Sequence, residues 1–440
     1  MAWNTHTPVA VSHRSTCAII GTAVDPRFPE HGEELIVESL SSSSTDEAQA
    51  ILDRLIGRYA VVFESQEEGV RVQQDALGLR AVYYSDQQYN PVVGSHMVLV
   101  AGQVHAPVNQ FGAPGYLAEA NETTYPGRST GRLGVLRLTP NCELLGESQK
   151  IKRVFPRTQR VEISAVEAAA FTKNRVSQLL KALQARRVRL LVSVTGGLDS
   201  RVTTSLIEER ASATYFTYEV LFRPKNRADK HDVGTATEIA QRLGLDYRVI
   251  KLESREVDPS LERDMVGNWP LQHSRALAQA YRSELPPGVH IRSNGFEVGS
   301  SYWRRHGFGD NELNAREMRR IASSKRGKSH ASLDSFSEYI NASAFTRVEE
   351  LGYDPYDFFY WEIRMGSWLA TALHESDIAH ETVILINSRE ILDTLLSVPY
   401  ADRVEDAVSK ILLEQGDVEL TEIPVNGVPY TMYAASRGAS

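Results

Sequence analysis

The stretch LLVSVTGGLDSRVTTSLIEE, from Leu190 to Glu209, constrains this chain more than any other. Leu190, Leu191, Val192 and Val194 form an apolar run short enough for a buried strand. Thr195-Gly196-Gly197 breaks the run with a turn. From Asp199 the pattern becomes helical, with Val202, Leu206 and Ile207 on one stripe. A strand, a glycine turn and a helix start bring backbone N–H groups and a positive helix end to one point, which suits a phosphate. Glycine lets the backbone approach without a side chain in the way. The candidate nucleotide contacts are therefore Ser193, Thr195, Gly196, Gly197, Leu198, Asp199 and Ser200, with Asp199 also a candidate for the magnesium that accompanies a nucleotide. The lysine of the G-x-x-x-x-G-K-[ST] loop and the third glycine of the dinucleotide fingerprint are both missing, so neither motif applies.

Downstream, TYFTYEV from Thr214 to Val220 predicts a second strand, Asp229 to Leu243 a helix and Tyr247 to Ile250 a third strand. Strands alternating with helices predict a parallel sheet that binds ligands at its carboxyl ends. The first 150 residues read differently, as short strands and turns. Ser44-Thr45-Asp46-Glu47 opens a helix with a capping box, and Gly57 is expected to stop it. Arg58–Glu64 and Val70–Gln73 then read as paired strands.

A length of 440 residues predicts two domains. A net charge of −8 argues against a general nucleic-acid surface. No apolar run is long enough for a bilayer, and the N-terminus lacks the layout of a signal peptide. Two cysteines, Cys17 and Cys142, are too few for a disulfide framework or a thiolate metal site, which leaves a cytoplasmic enzyme as the expectation.

Thr195-Gly196-Gly197-Leu198-Asp199-Ser200 resembles the S-G-G-x-D-S pyrophosphate loop of ATP pyrophosphatases, which cleave ATP between its α- and β-phosphates. In the first half, GRYAVVF, DALGLRAVYYS (Asp75–Ser85), VVGSH and TTYPGRSTGRLGVLRLTP follow the order of segments in the glutaminase-type domain of asparagine synthetases. Together these fragments resemble the asparagine synthetase superfamily across most of the chain. The resemblance implies an α/β protein of two domains. Residues 1–160 would be a degenerate class II glutamine amidotransferase-like β-sandwich of the Ntn type, and 161–440 an α/β ATP-pyrophosphatase domain.

The nucleophile of that glutaminase domain is a cysteine directly after the initiator methionine, whose free amine is its base. Ala2 stands there, and Cys17 reads better as a small buried strand residue. The first domain is thus expected to be a scaffold that makes no ammonia, as in the related beta-lactam and carbapenam synthetases. For the second domain the resemblance implies ATP and Mg²⁺ as cofactors. Asp199 and Glu297 would be metal ligands, and Thr217 and Gly295 nucleotide contacts. Lys410 would neutralise charge on the leaving pyrophosphate, and Tyr360 with Glu362 would deprotonate the attacking amine. Arg304 and Arg305 follow Glu297 at a distance where a guanidinium reaches phosphate, and SSKRGKSHASLD, Ser323 to Asp334, reads as a surface loop or a lid.

The implied reaction adenylates a small-molecule or peptide carboxylate and passes the acyl group to an amine of a second or the same substrate, in natural-product biosynthesis. No nucleic-acid or membrane partner is expected, and a homodimer is left open. Ammonia-dependent amidation and nucleotide binding without turnover remain open alternatives, and no motif identifies the acid or the amine.

Overall fold

In a computed structural model, residues 7–14, 16–65, 69–109, 125–221, 227–254, 256–261, 272–322 and 330–436 are described. The first half is built on two antiparallel sheets. The larger contains β1 (Val9–Val11), β2 (Cys17–Val24), β3 (Ile56–Ser65) and β4 (Gly69–Gln74) in that order, with β8 (Cys142–Leu145) and β9 (Lys150–Arg153) beyond them. The smaller pairs β5 (Tyr83–Ser85) with β6 (Val93–Gly94) and β7 (Val135–Arg137). They share a small core in which Ala60, Val72 and Leu144 of the large sheet meet Tyr84 and Leu138.

The helix Thr45–Arg54 is capped reciprocally by Ser44 and Glu47, as its sequence predicts. Gly57 does not end it. Leu55 is the C-cap, and Gly57 lies inside β3 at φ +145°, where a Cβ would sit 2.1 Å from the Thr22 carbonyl oxygen. The glycine is there for the close approach of β2, not for the helix stop.

Cys17 is buried in β2, opposite Phe63 of β3. Burial pushes its thiol up to about 12, and the Cys142 thiol likewise to about 12. Both are therefore expected to resist iodoacetamide at pH 8 in the folded protein and to react once it is denatured, as peptide mass spectrometry would show.

After β9 the chain enters a long helix, Ala165–Ala185, opened by a second capping box between Ser164 and Glu167. A five-stranded sheet follows in the order β12 (Tyr247–Leu252), β11 (Ala213–Val220), β10 (Leu190–Ser193), β13 (Val289–Ile291), β14 (Thr382–Val383). Every pair in it is parallel. Leu191 and Val192 of β10 have no exposed surface, as a central parallel strand covered on both faces requires. No helix among the described residues is long and apolar enough to cross a membrane.

The halves are joined by polar contacts that use the motif fragments of the first half. The Asp75 carboxylate accepts the Leu79 and Arg80 N–H groups at 3.0 and 2.8 Å and the Asn387 side-chain amide at 2.8 Å. The Leu77 N–H returns a bond to Asn387 Oδ1, and the Trp361 indole donates to the Ala76 carbonyl oxygen. Arg58 pairs with Asp377 and Arg80 with Glu381. Arg389 is buried and donates to Asn141 and to the Gln74 carbonyl. Of the segment read as a loop or lid, 323–329 lie outside the described residues, and Ser332–Asp334 belong to the helix His330–Ala342.

Candidate active site

A cavity of about 410 Å³ opens among the carboxyl ends of the parallel strands. Ser193, Thr195, Gly197, Leu198, Asp199 and Ser200 line it from the glycine turn, bringing together six of the seven contacts expected there. The helix Leu198–Leu206 has Gly197 as its N-cap and no side chain capping its first turn. Its leading N–H groups therefore lack the side-chain acceptor that Ser, Thr, Asp or Asn would supply.

The turn itself is more closed than its sequence suggests. The Thr195 N–H donates to Ser200 Oγ at 3.1 Å, the Gly196 N–H to Asp232 Oδ1 at 2.9 Å and the Gly197 N–H to Thr195 Oγ1 at 3.3 Å. Gly196, the seventh expected contact, is absent from the cavity lining because that carboxylate covers it.

Glu297 also lines the cavity, from the short turn Phe296–Ser300, so that with Asp199 two carboxylates face one space besides that of Asp406, which is paired with Arg305. Glu297 Oε2 accepts the Gly295 N–H at 2.7 Å. No group of three His, Cys, Asp or Glu side chains suited to a metal exists among the described residues. Two carboxylates fit magnesium, which keeps waters and takes its remaining oxygens from phosphate. Arg305 is held between Asp406, at 2.6 Å, and Ser300 Oγ, at 3.2 Å, and all three line the cavity. Three buried polar atoms among the lining residues lack a partner: Arg305 Nε, Ser293 Oγ and His290 Nε2. Buried orphans of this kind mark places where a ligand or water completes the bonding.

Six further expected residues sit elsewhere. Thr217 is buried in β11, whereas its neighbour Tyr218 lines the cavity, because successive strand residues face opposite ways. Gly295 holds a turn at φ +109° with Ile386 and Leu77 against it, away from the lining. Lys410 lies on the helix Ala407–Gly416, one turn past Asp406, and is not a lining residue. Tyr360 is buried behind the cavity with its ring 4.5 Å from that of Tyr302; burial, with Glu297 and Asp199 nearby, holds its phenol protonated. Glu362 belongs to the junction between the halves. Arg153 binds it through two donors, at 2.6 and 3.1 Å, the Tyr339 hydroxyl at 2.6 Å and the Asn141 amide at 3.2 Å. A carboxylate so engaged is not a cavity-lining residue, contrary to the expectation that Glu362 deprotonates the attacking amine. Arg304 is likewise committed, to Asp354, so of the two adjacent arginines only Arg305 lines the cavity.

Other site residues had no motif to reveal them. Arg201 directly follows the T-G-G-L-D-S string, yet it is fully buried and faces the carbonyls of Gly196, Leu420, Ile423 and Pro424. Burial lowers its guanidinium to about 10. It ties the glycine turn to the C-terminal segment, whose Asn426 donates its N–H to the Gly196 oxygen at 3.0 Å and lines the cavity.

Tyr218, Tyr281 and His290 also line the cavity, and His380 packs on Tyr281 with ring centres 5.4 Å apart. Burial pulls the His380 imidazole from 6.5 down to about 4 and holds His290 well below its usual range. Both stay neutral in the fold while the unfolded chain takes up protons near 6.5. Stability is therefore complete above that pH and falls below it, by about 1.4 kcal/mol per pH unit per group. Between pH 6.5 and 4 the replacement His380→Phe is expected to flatten the decline measured by urea unfolding.

No family model matches the sequence, and no curated protein matches it. Among solved structures, the glutamine-dependent NAD+ synthetase of Acinetobacter baumannii, in complex with ADP, aligns at TM-score 0.22 and 13% identity. The alignment covers 39% of this chain and 33% of that one, about a third of its length. The glutamine-dependent NAD(+) synthetase of Cytophaga hutchinsonii aligns at TM-score 0.23 and 11% identity, over 71% and 69% of the two chains. Likeness this slight carries no argument about the site.

Proposed function

We propose that this protein is an ATP-dependent amide-forming synthetase. One observation carries the reading: a helix start with no side-chain cap, the carboxylates of Asp199 and Glu297 and the guanidinium groups of Arg292 and Arg305 all line one cavity at the carboxyl edge of a parallel sheet. The cavity volume lies within the range of small-molecule sites. In this reading the turn Thr195–Ser200 and Arg305 receive the phosphates of ATP. Asp199 and Glu297 would hold magnesium, which supplies charge neutralisation on the phosphates when bound.

A substrate carboxylate oxygen attacks the α-phosphorus, and the bond to the β-phosphate oxygen breaks to release pyrophosphate. The amine nitrogen then attacks the acyl carbon, loses a proton and expels AMP. Tyr218 and Tyr281 give the cavity an aromatic face for an uncharged ring. Lys410 can serve such a site only if its side chain reaches in when the nucleotide is bound. The first half is read as a scaffold of the Ntn sandwich type without glutaminase activity, a reading supported by the buried, protonated Cys17. Its role in natural-product assembly belongs to the same proposal.

The test is ATP–pyrophosphate exchange against a panel of carboxylates, with glutamine hydrolysis measured alongside. Carboxylate-dependent exchange without glutaminase activity is the expected result. ATP binding with no exchange on any acid would favour nucleotide binding without turnover, the reading to which the internally bonded glycine turn lends weight.

A further inference from the structure

The Gly196 peptide is held from both sides. Its oxygen accepts the Asn426 N–H at 3.0 Å and an Arg201 N–H at 3.1 Å, and its own N–H meets Asp232 Oδ1 at 2.9 Å. Asp232 comes from the helix Arg227–Leu243, 36 residues away in sequence. The neighbouring Thr195 and Gly197 amides are satisfied by hydroxyls, which are neutral and rotate easily. Asp232 differs from them in carrying a full charge. An anionic oxygen on a glycine-turn amide beside a helix start is the arrangement a bound phosphate would make.

We propose that Asp232 stands in for a phosphate oxygen, occupying the Gly196 amide in the ligand-free protein and leaving it when a phosphate enters. The inference rests on the reading of this cavity as a nucleotide site and adds a gate to it. The carboxylate opposes phosphate twice, by holding the donor and by repelling negative charge. Asparagine at this position keeps an oxygen that can accept from Gly196 but removes the charge, and alanine frees the amide altogether.

The test is calorimetric titration of the full chain and of Asp232→Asn and Asp232→Ala with inorganic pyrophosphate, in EDTA and then with magnesium. Unliganded melting temperatures establish that the variants fold. Both variants are expected to bind pyrophosphate roughly tenfold more tightly than the parent in EDTA, since both remove the nearby like charge and alanine also frees the Gly196 donor. Unchanged or weaker binding in EDTA would overturn the gate while leaving the nucleotide reading intact. Weakening confined to magnesium would overturn it too, making Asp232 a metal ligand. Failure of parent and variants alike to bind pyrophosphate or ATP would remove the nucleotide reading and the gate with it.

Discussion

Replacing Asp199 with alanine is expected to lower carboxylate-dependent ATP–pyrophosphate exchange by about 10²-fold or more, the scale on which preorganised charge stabilisation operates in a closed site. Asp199 shares its cavity with Glu297 and lies in the first turn of the Leu198–Leu206 helix, so its loss would leave Glu297 and the Arg305-paired Asp406 as the carboxylates lining it. Asp199→Asn keeps the side chain's shape and is expected to fall nearly as far, because a neutral amide is a poor magnesium ligand. Unfolding curves should stay within about 1 kcal/mol of the parent, as for a change away from the packed core. Exchange that survives both substitutions would remove Asp199 from the site.

A second large effect is expected at a residue outside the cavity lining. Glu362→Ala should destabilise the protein by about 3–5 kcal/mol, because it strands the Arg153 guanidinium at a junction where that side chain is only 4% exposed. The effect should be non-additive. Adding Arg153→Met removes the stranded charge, so the double variant should be more stable than Glu362→Ala alone, a coupling that denaturant unfolding measures directly. A loss under about 1 kcal/mol in the single variant would mean that the pair does not hold the halves together.

Glu362 also shows where sequence reading loses its grip. In sequence, its role as a base is implied only by the resemblance of the surrounding stretch to a known family. The partners that decide the matter, Arg153 and Asn141, lie 209 and 221 residues away. Thr217 and Tyr218 make the same point at shorter range. Both sit near the end of β11, and only the packing of the sheet decides which faces the cavity, since a strand's neighbours always point apart.

What the chain's own order of residues determined is the local grammar. It set a strand ending in a glycine turn, a helix starting without a capping side chain, two capping boxes, and the alternation that builds a parallel sheet. Each depends on residues within a few positions of one another, where backbone sterics and hydrophobic period act directly. Only the tertiary structure decided that Asp232 covers Gly196, that Arg201 binds the C-terminal carbonyls, that His290 and Asp406 join the cavity, and that Arg305 rather than Arg304 lines it. Those contacts are closed by the packing of elements far apart in the chain, and no local pattern encodes which distant polar group will satisfy a buried one.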